Sequence, residues 1–244
     1  FSVKKILAYP LNVIYYLFFG FLLTFFELVQ IISLKIGGHI AQKKSVEYLN
    51  YLLLRCINLL GNFVVFHKGS EFPENVPIIF VSNHQSTYDV PPLIWYLRKS
   101  HPKFISKIEL GKGIPSISYN LRNGKHLLID RNDSEGSIKK IENFARLIDE
   151  KCWSVIIFPE GTRSKDGKPK KFRKGGLLTL FKILKRAYVV PISISNSWKL
   201  AKYKYFPIPL GVKIIVKTYK PLKVSNFTDN ELIDKVEKII HSGI

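Results

Sequence analysis

Twenty-one consecutive residues between Lys5 and Glu27, ILAYPLNVIYYLFFGFLLTFF, carry no charge. About 20 apolar residues are enough to cross the hydrocarbon core of a bilayer as a helix. The run is too long for the apolar part of a cleavable signal peptide, and no small-residue cleavage site follows it. Apolar residues resume after Glu27 as LVQIISL and stop at Lys35. A helix from Ile6 to Leu34 would be about 43 Å long, more than an untilted span needs.

Gly37 and Gly38 then predict a break. Beyond them Val46, Leu49, Leu53, Cys56 and Leu60 recur every three to four residues, with Lys43, Lys44, Glu47 and Arg55 between. That pattern makes a poor spanning helix and a good interfacial one, and it also fits a core helix of a soluble domain. Basic residues flank the first run on both sides (Lys4, Lys5; Lys35, Lys43, Lys44), so charge asymmetry sets no topology. The expectation is a membrane-embedded helical hairpin within residues 1–60, lying in one leaflet, followed by a folded domain over 61–244.

From Asn62 onward, short apolar or β-branched runs alternate with helical patterns. Strands are predicted at 62–67, 77–82, 103–106, 126–130, 154–159, 188–194 and 212–219. Helices are predicted at 134–150, with Ile138, Ile141, Ala145 and Ile148 on one face, and at 176–186. A third is announced by a capping box, Thr228 with Glu231. Strands apolar on both faces and spaced by helices imply an α/β fold: a mixed, largely parallel sheet flanked by helices. In such sheets the chemistry gathers at the carboxyl ends of strands.

Two predicted strands run into loops richer in functional groups than a turn requires. One is IIFVSNHQSTYD, ending at Asp89; the other is VIIFPEGTRSKDGKPKKFRKGG, ending at Gly176. If both strands share a sheet, His84, Asp89, Glu160 and Arg163 converge at one edge. No G-x-S-x-G occurs, and neither Cys56 nor Cys152 lies in these loops, so no nucleophile for an acyl-enzyme is evident. What remains is a general base acting on a substrate hydroxyl, with Asp89 fixing the imidazole tautomer. The same two residues also fit a plain hydrogen-bonded pair at a loop. In the second loop Gly161 permits close backbone approach, Arg163 offers a planar fork for a phosphate, and Thr162 and Ser164 add hydroxyls. Glu160 would align Arg163 or bond a substrate hydroxyl. A polar turn with a solvated arginine is the plainer alternative.

NHQSTYD and FPEGTRS together resemble the first and third signature blocks of the glycerolipid acyltransferases, most closely those acting on 1-acylglycerol 3-phosphate. LLIDR, with Arg131, resembles the second block, and VVPISI, with Pro191, the fourth; the likeness covers roughly residues 78–195. It implies His84 as base and Asp89 as its orienting partner. Arg131, Glu160, Gly161 and Arg163, with Thr162, would form the glycerol-phosphate site, and Pro191 would shape the pocket wall near the acyl donor. No cofactor and no metal are implied.

Net charge is +20, which predicts a polyanionic partner. Lys165, Lys168, Lys170, Lys171, Arg173 and Lys174 cluster after the third block, and Lys199, Lys202 and Lys204 after the fourth. Beside an apolar hairpin, such a surface suits an anionic phospholipid membrane, an acidic acyl-carrier protein or the phosphates of acyl-CoA. Nucleic acid is the rival partner, but no nucleic-acid-binding motif is present and the N-terminal run has no role there. The expected function is transfer of an acyl chain from a thioester to the 2-hydroxyl of lysophosphatidic acid, giving phosphatidic acid. It would take place at the cell membrane, with the catalytic domain on the cytoplasmic face. Acylation of glycerol 3-phosphate or another lysophospholipid is the alternative, and an inactive basic membrane-binding scaffold the alternative of a different class.

Overall fold

The structure, a computed structural model, describes residues 3–130 and 132–244. It opens with helix α1 (Val3–Cys56), which folds back on itself at Gly38. Gly38 has φ 63° and ψ −161°, a conformation open to glycine and strained for any other residue. Gly37 stays helical, so the break falls on the second glycine alone. The two arms form the expected hairpin, with Leu23 and Phe26 of the first packed on Leu49 and Leu53 of the second.

Seven of the eight strands among the described residues match the predicted runs: β1 (Phe63–His67), β2 (Ile78–Ser82), β3 (Pro102–Lys107), β4 (Leu127–Ile129), β5 (Ser154–Ile157), β6 (Tyr188–Ser195) and β7 (Lys213–Thr218). The eighth, β8 (Leu222–Lys223), is only two residues long and left no pattern in the sequence. Their order is β1-β7-β6-β2-β5-β3-β4, with β8 beside β6. Pairing is parallel except for β6 with β7 and with β8, so the sheet is mixed and largely parallel. Helices α2 (Val90–Tyr96), α3 (Ile117–Asn123), α4 (Ser134–Lys151), α5 (Lys174–Ile183) and α6 (Asp229–His241) complete the chain. The capping box of Thr228 and Glu231 starts α6 as predicted. On α4, Ile141, Ala145 and Ile148 are buried, joined by Phe144, but Ile138 is exposed.

The sheet has a core on each face. On one, Ile79, Val81, Val155, Ile157 and Val189 pack with residues of α4, α5 and α6. On the other, Phe80, Ile156, Val190 and Ile192 pack with α2 and with Tyr15, Val46, Cys56 and Leu60. The apolar face predicted for the second arm is therefore core. The line expected at residue 60 separates two elements that share one interior.

The first arm docks through a narrow stripe. Asn12 is fully buried; its amide donates to the Ile208 carbonyl at 3.0 Å and accepts the Ile208 N–H at 2.7 Å. Tyr15 and Tyr88 share a 2.7 Å hydroxyl–hydroxyl bond, and Ser116 donates to the Leu23 carbonyl at 2.7 Å. The rest of the arm is exposed and apolar, including Leu17 (70%), Phe21 (62%) and Leu28 (59%). Among the described residues this is the one helix long and apolar enough to cross a membrane, by length and composition.

Candidate active site

β2 and β5 are parallel neighbours, with Val81 opposite Ile157, so the two chemistry-bearing loops leave the same edge of the sheet. Asn83 explains how a buried strand ends in such a turn. Its amide accepts the Ile194 N–H at 2.7 Å and donates to the Ile194 carbonyl at 2.8 Å, pinning the turn to β6. His84 follows, its ring stacked on Phe158 with centroids 4.2 Å apart. Its carbonyl accepts the Ser164 N–H at 2.7 Å, which ties the first loop to the second.

His84 Nδ1 lies 2.8 Å from Asp89 Oδ2. The same oxygen accepts the N–H groups of Gln85 at 2.6 Å and Ser86 at 2.9 Å. Asp89 Oδ1 accepts the Ser197 hydroxyl. A fully buried carboxylate with this many donors is held as an acceptor. Nδ1 therefore carries the imidazole proton, and Nε2 presents a lone pair. Ser86 caps the short 3-10 turn Thr87–Asp89, which aims Asp89 back at the histidine. Gln85 accepts from Ser197 and Trp198 and donates to the Gly167 carbonyl, at 3.4 to 3.5 Å, and so bridges three loops.

The second loop starts on a turn with Gly161 at φ +73°, where a Cβ would press on the Arg173 side chain at 3.0 Å. Thr162 Oγ1 accepts from Lys170 at 3.1 Å, and Lys170 also donates to the Arg163 carbonyl at 2.9 Å. Arg163 is exposed, and its guanidinium donates to the Tyr205 hydroxyl at 2.8 Å. It makes no ion pair with Glu160, so the expectation that Glu160 aligns Arg163 is corrected. Glu160 is 3% exposed, and neither carboxylate oxygen makes a hydrogen bond. Burial pushes its pKa up to about 7; the backbone N–H groups of Lys170 and His84 lie near enough to oppose that rise without closing a full hydrogen bond. A protonated carboxyl there can donate a hydrogen bond as well as accept one.

The structure thus brings His84, Asp89, Glu160, Gly161, Thr162 and Arg163 to one edge. Pro191 is not among them. It is buried within β6 opposite Val81, and by strand alternation it shares the Val189 face rather than that of Val190 and Ile192. Arg131 lies outside the described residues. Two residues that the sequence gives no reason to select complete the site, Ser197 on Asp89 and Tyr205 on Arg163. The first partnership spans 108 positions and the second 42.

The basic residues surround this edge unevenly. Lys174 is drawn off to Asp234 at 2.9 Å, and Lys170 is spent within its own loop. Lys165, Lys168, Lys199, Lys202 and Lys204 are left on the two loops flanking His84, where Trp198 of one packs against Gly167 of the other.

Comparison with known proteins gives a consistent picture. A family model described as Acyltransferase matches residues 63–195. The 1-acyl-sn-glycerol-3-phosphate acyltransferase of Cocos nucifera is 31% identical over 74% of this chain and 56% of its own length. That of Limnanthes douglasii is 27% identical over 78% and 69%. The chain therefore spans a little over half the length of the coconut relative. Among solved structures, the 1-acyl-sn-glycerophosphate (LPA) acyltransferase PlsC of Thermotoga maritima aligns with a TM-score of 0.79 at 24% identity, covering 99% of this chain and 96% of that one; the two share the fold. The chain belongs to the acyltransferase family.

Proposed function

We propose that this member of the acyltransferase family transfers an acyl chain from a thioester to the 2-hydroxyl of 1-acylglycerol 3-phosphate, giving phosphatidic acid. The observation that carries the reading is the 2.8 Å contact between His84 Nδ1 and a buried, fully engaged Asp89. It leaves His84 Nε2 as a lone pair at the open edge of the sheet, with no serine or cysteine hydrogen-bonded to the ring among the described residues.

The steps follow from that. Nε2 takes the proton of the 2-hydroxyl as its oxygen attacks the thioester carbonyl carbon, and Asp89 stabilises the imidazolium that forms. The new C–O bond makes a tetrahedral centre, whose collapse breaks the C–S bond. The leaving thiolate then takes the proton from Nε2, returning the imidazole to its starting state. Arg163, joined by Arg131 as the family blocks imply, anchors the acceptor phosphate. Glu160, neutral below about pH 7, bonds an acceptor oxygen. Gly161 and Thr162 hold the turn that presents Arg163, and Pro191 shapes the pocket wall only through the strand that carries it.

The donor is an acyl-carrier protein or acyl-CoA, both anionic, and the lysines flanking His84 suit either. The exposed apolar face of the first arm supports seating in one leaflet of an anionic phospholipid membrane, on the cytoplasmic face of the cell membrane where acyl thioesters are available. Both acceptor and product are lipids, so an interfacial site avoids drawing acyl chains through water.

Incubating the full chain with both kinds of donor and either 1-acylglycerol 3-phosphate or glycerol 3-phosphate tests this. Phosphatidic acid from the first acceptor, followed by mass spectrometry, is the expected result. Product from glycerol 3-phosphate alone would move the acceptor assignment. No product from any pairing would favour the scaffold reading.

A further inference from the structure

A cavity of about 240 Å³ lies between the second hairpin arm, the start of β3 and the turn before β4. It is separated from His84 by a relay of rings. His84 stacks on Phe158 at 4.2 Å, Phe158 faces Phe104 at 6.5 Å, and Phe104 faces His126 at 5.9 Å. None of the residues expected to act in acyl transfer lines it.

Two features of its lining are unusual for an interior. Lys103 is 9% exposed, yet its ammonium makes a single hydrogen bond, to the Gly124 carbonyl at 2.8 Å. It also sits 4.7 Å from the Trp153 ring centroid. Two of its three N–H bonds are left without a protein acceptor among the described residues. The acidic group acting on it, Glu47, is ion-paired with Lys43 at 2.5 Å. Burial, with the charges of Lys43 and Lys125, lowers its pKa to about 8. A buried cation without a counter-charge is unfavourable, and an anion beside it removes the penalty.

The second feature is His126. Its Nδ1 accepts the Phe104 N–H at 3.0 Å, so Nε2 carries the proton and, among the described residues, has no acceptor. Burial and then the charge of Lys103 push its pKa down to about 3. The ring is therefore a neutral donor. Both donor-bearing residues line the cavity. Val46, Ile94 and Trp153 add apolar surface to the same lining, with the Trp153 ring beside the Lys103 ammonium. The lining also includes Ile40, which is 71% exposed and lies across the Gly38 bend from Ile36, 84% exposed, at the tip of the hairpin.

We propose that this cavity is a second, non-catalytic site for an anionic amphiphile, with its phosphate or carboxylate head on Lys103 Nζ and His126 Nε2 and its alkyl tail along Val46, Ile94 and Trp153 toward the hairpin. A head alone would leave the apolar wall unused, and a tail alone would leave the Lys103 charge unanswered. Access at Ile40 lets a ligand enter from the lipid side without passing the catalytic edge.

The test uses the full chain in phosphatidylcholine nanodiscs with Trp153 as the sole tryptophan (Trp95→Phe, Trp198→Phe), titrated with dodecyl phosphate, dodecanol or inorganic phosphate. The expected result is a saturable change in Trp153 emission with dodecyl phosphate, at a midpoint at least tenfold lower than for either half-ligand. Lys103→Met, which keeps the aliphatic stem, raises that midpoint at least tenfold. Val46→Phe does the same by filling the cavity while leaving the ammonium in place. The inference is overturned by the absence of a saturable response, by dodecanol or inorganic phosphate binding as tightly as dodecyl phosphate, or by Lys103→Met binding as well as the unsubstituted protein. Should either variant fail to fold, the three-ligand comparison on the unsubstituted cavity still decides.

Discussion

The Arg163 guanidinium and the Tyr205 hydroxyl are joined by a 2.8 Å hydrogen bond, and the same tyrosine's carbonyl accepts the Tyr16 hydroxyl on the N-terminal hairpin. The side chain proposed to hold the acceptor phosphate is thus braced by a residue that touches the hairpin. Tyr205→Phe keeps the ring and removes the brace, together with a longer 3.4 Å bond from the Thr87 N–H. We expect the Michaelis constant for 1-acylglycerol 3-phosphate to rise about 3- to 10-fold, which corresponds to about 0.7–1.4 kcal/mol and lies within the net range of a typical, solvent-exposed hydrogen bond. The turnover number should stay within twofold. Steady-state kinetics at varied acceptor check this, and a loss confined to turnover would contradict it.

Ser197 is the partner of Asp89 that lies farthest from it in sequence. Ser197→Ala leaves Asp89 Oδ1 buried with one donor fewer, which costs about 1–3 kcal/mol. Urea unfolding should show that loss. The turnover number should fall roughly tenfold as the His84 orientation loosens, and Ser197→Thr, which restores a hydroxyl, should recover most of it. Failure of threonine to restore activity in a folded variant would place the effect elsewhere.

Glu160 carries a pH signature. Its carboxyl has a folded-state pKa of about 7 against an ordinary value of 4.5. The folded state therefore favours the protonated form. Its stabilising contribution is complete below about pH 4.5 and is lost as the pH rises through about 7. Glu160→Gln removes that dependence, so the difference in melting temperature between variant and wild type should move in favour of the variant from pH 5 to pH 8. A difference that is flat across this window would show that Glu160 is not held neutral.

The face proposed to meet the membrane is separable from the core only by choosing residues well. Removing residues 1–60 would also remove Tyr15, Val46, Cys56 and Leu60 from the interior, so unfolding would mask any loss of membrane binding. Leu17, Phe21 and Leu28 project from the exposed side. Replacing all three with serine should weaken binding to anionic vesicles at least tenfold, since burial of each such side chain contributes on the order of 1.5–3 kcal/mol. The melting temperature should barely change. Undiminished flotation with vesicles would remove this face from the membrane contact.

What the sequence made legible was what local pattern controls. Period-two and continuous apolar runs marked seven strands, the glycine pair marked the hairpin bend, and the Thr228–Glu231 box marked the start of α6. His84 and Asp89 were readable because a five-residue separation and one 3-10 turn bring them together. Ser197, Tyr205 and Asn83 were not, because their partners arrive by tertiary pairing and their residue types are common in loops. Pro191 shows the limit of a motif. Its block lies where expected, but strand alternation turns it to the face opposite Val190 and Ile192, and no window of sequence fixes which face of a doubly covered strand looks toward the site. Lys103 was hidden for a related reason, since a lysine at the start of an edge-side strand reads as solvated until the hairpin arm and Trp153 close over it.

The central claim is that His84 acts as the general base. Purified wild type and His84→Ala, with matched melting temperatures, should be compared for phosphatidic acid formed from 1-acylglycerol 3-phosphate and a labelled acyl thioester. The account predicts a fall of about 10²- to 10⁴-fold in turnover for the variant. Equal rates in the two proteins would contradict it.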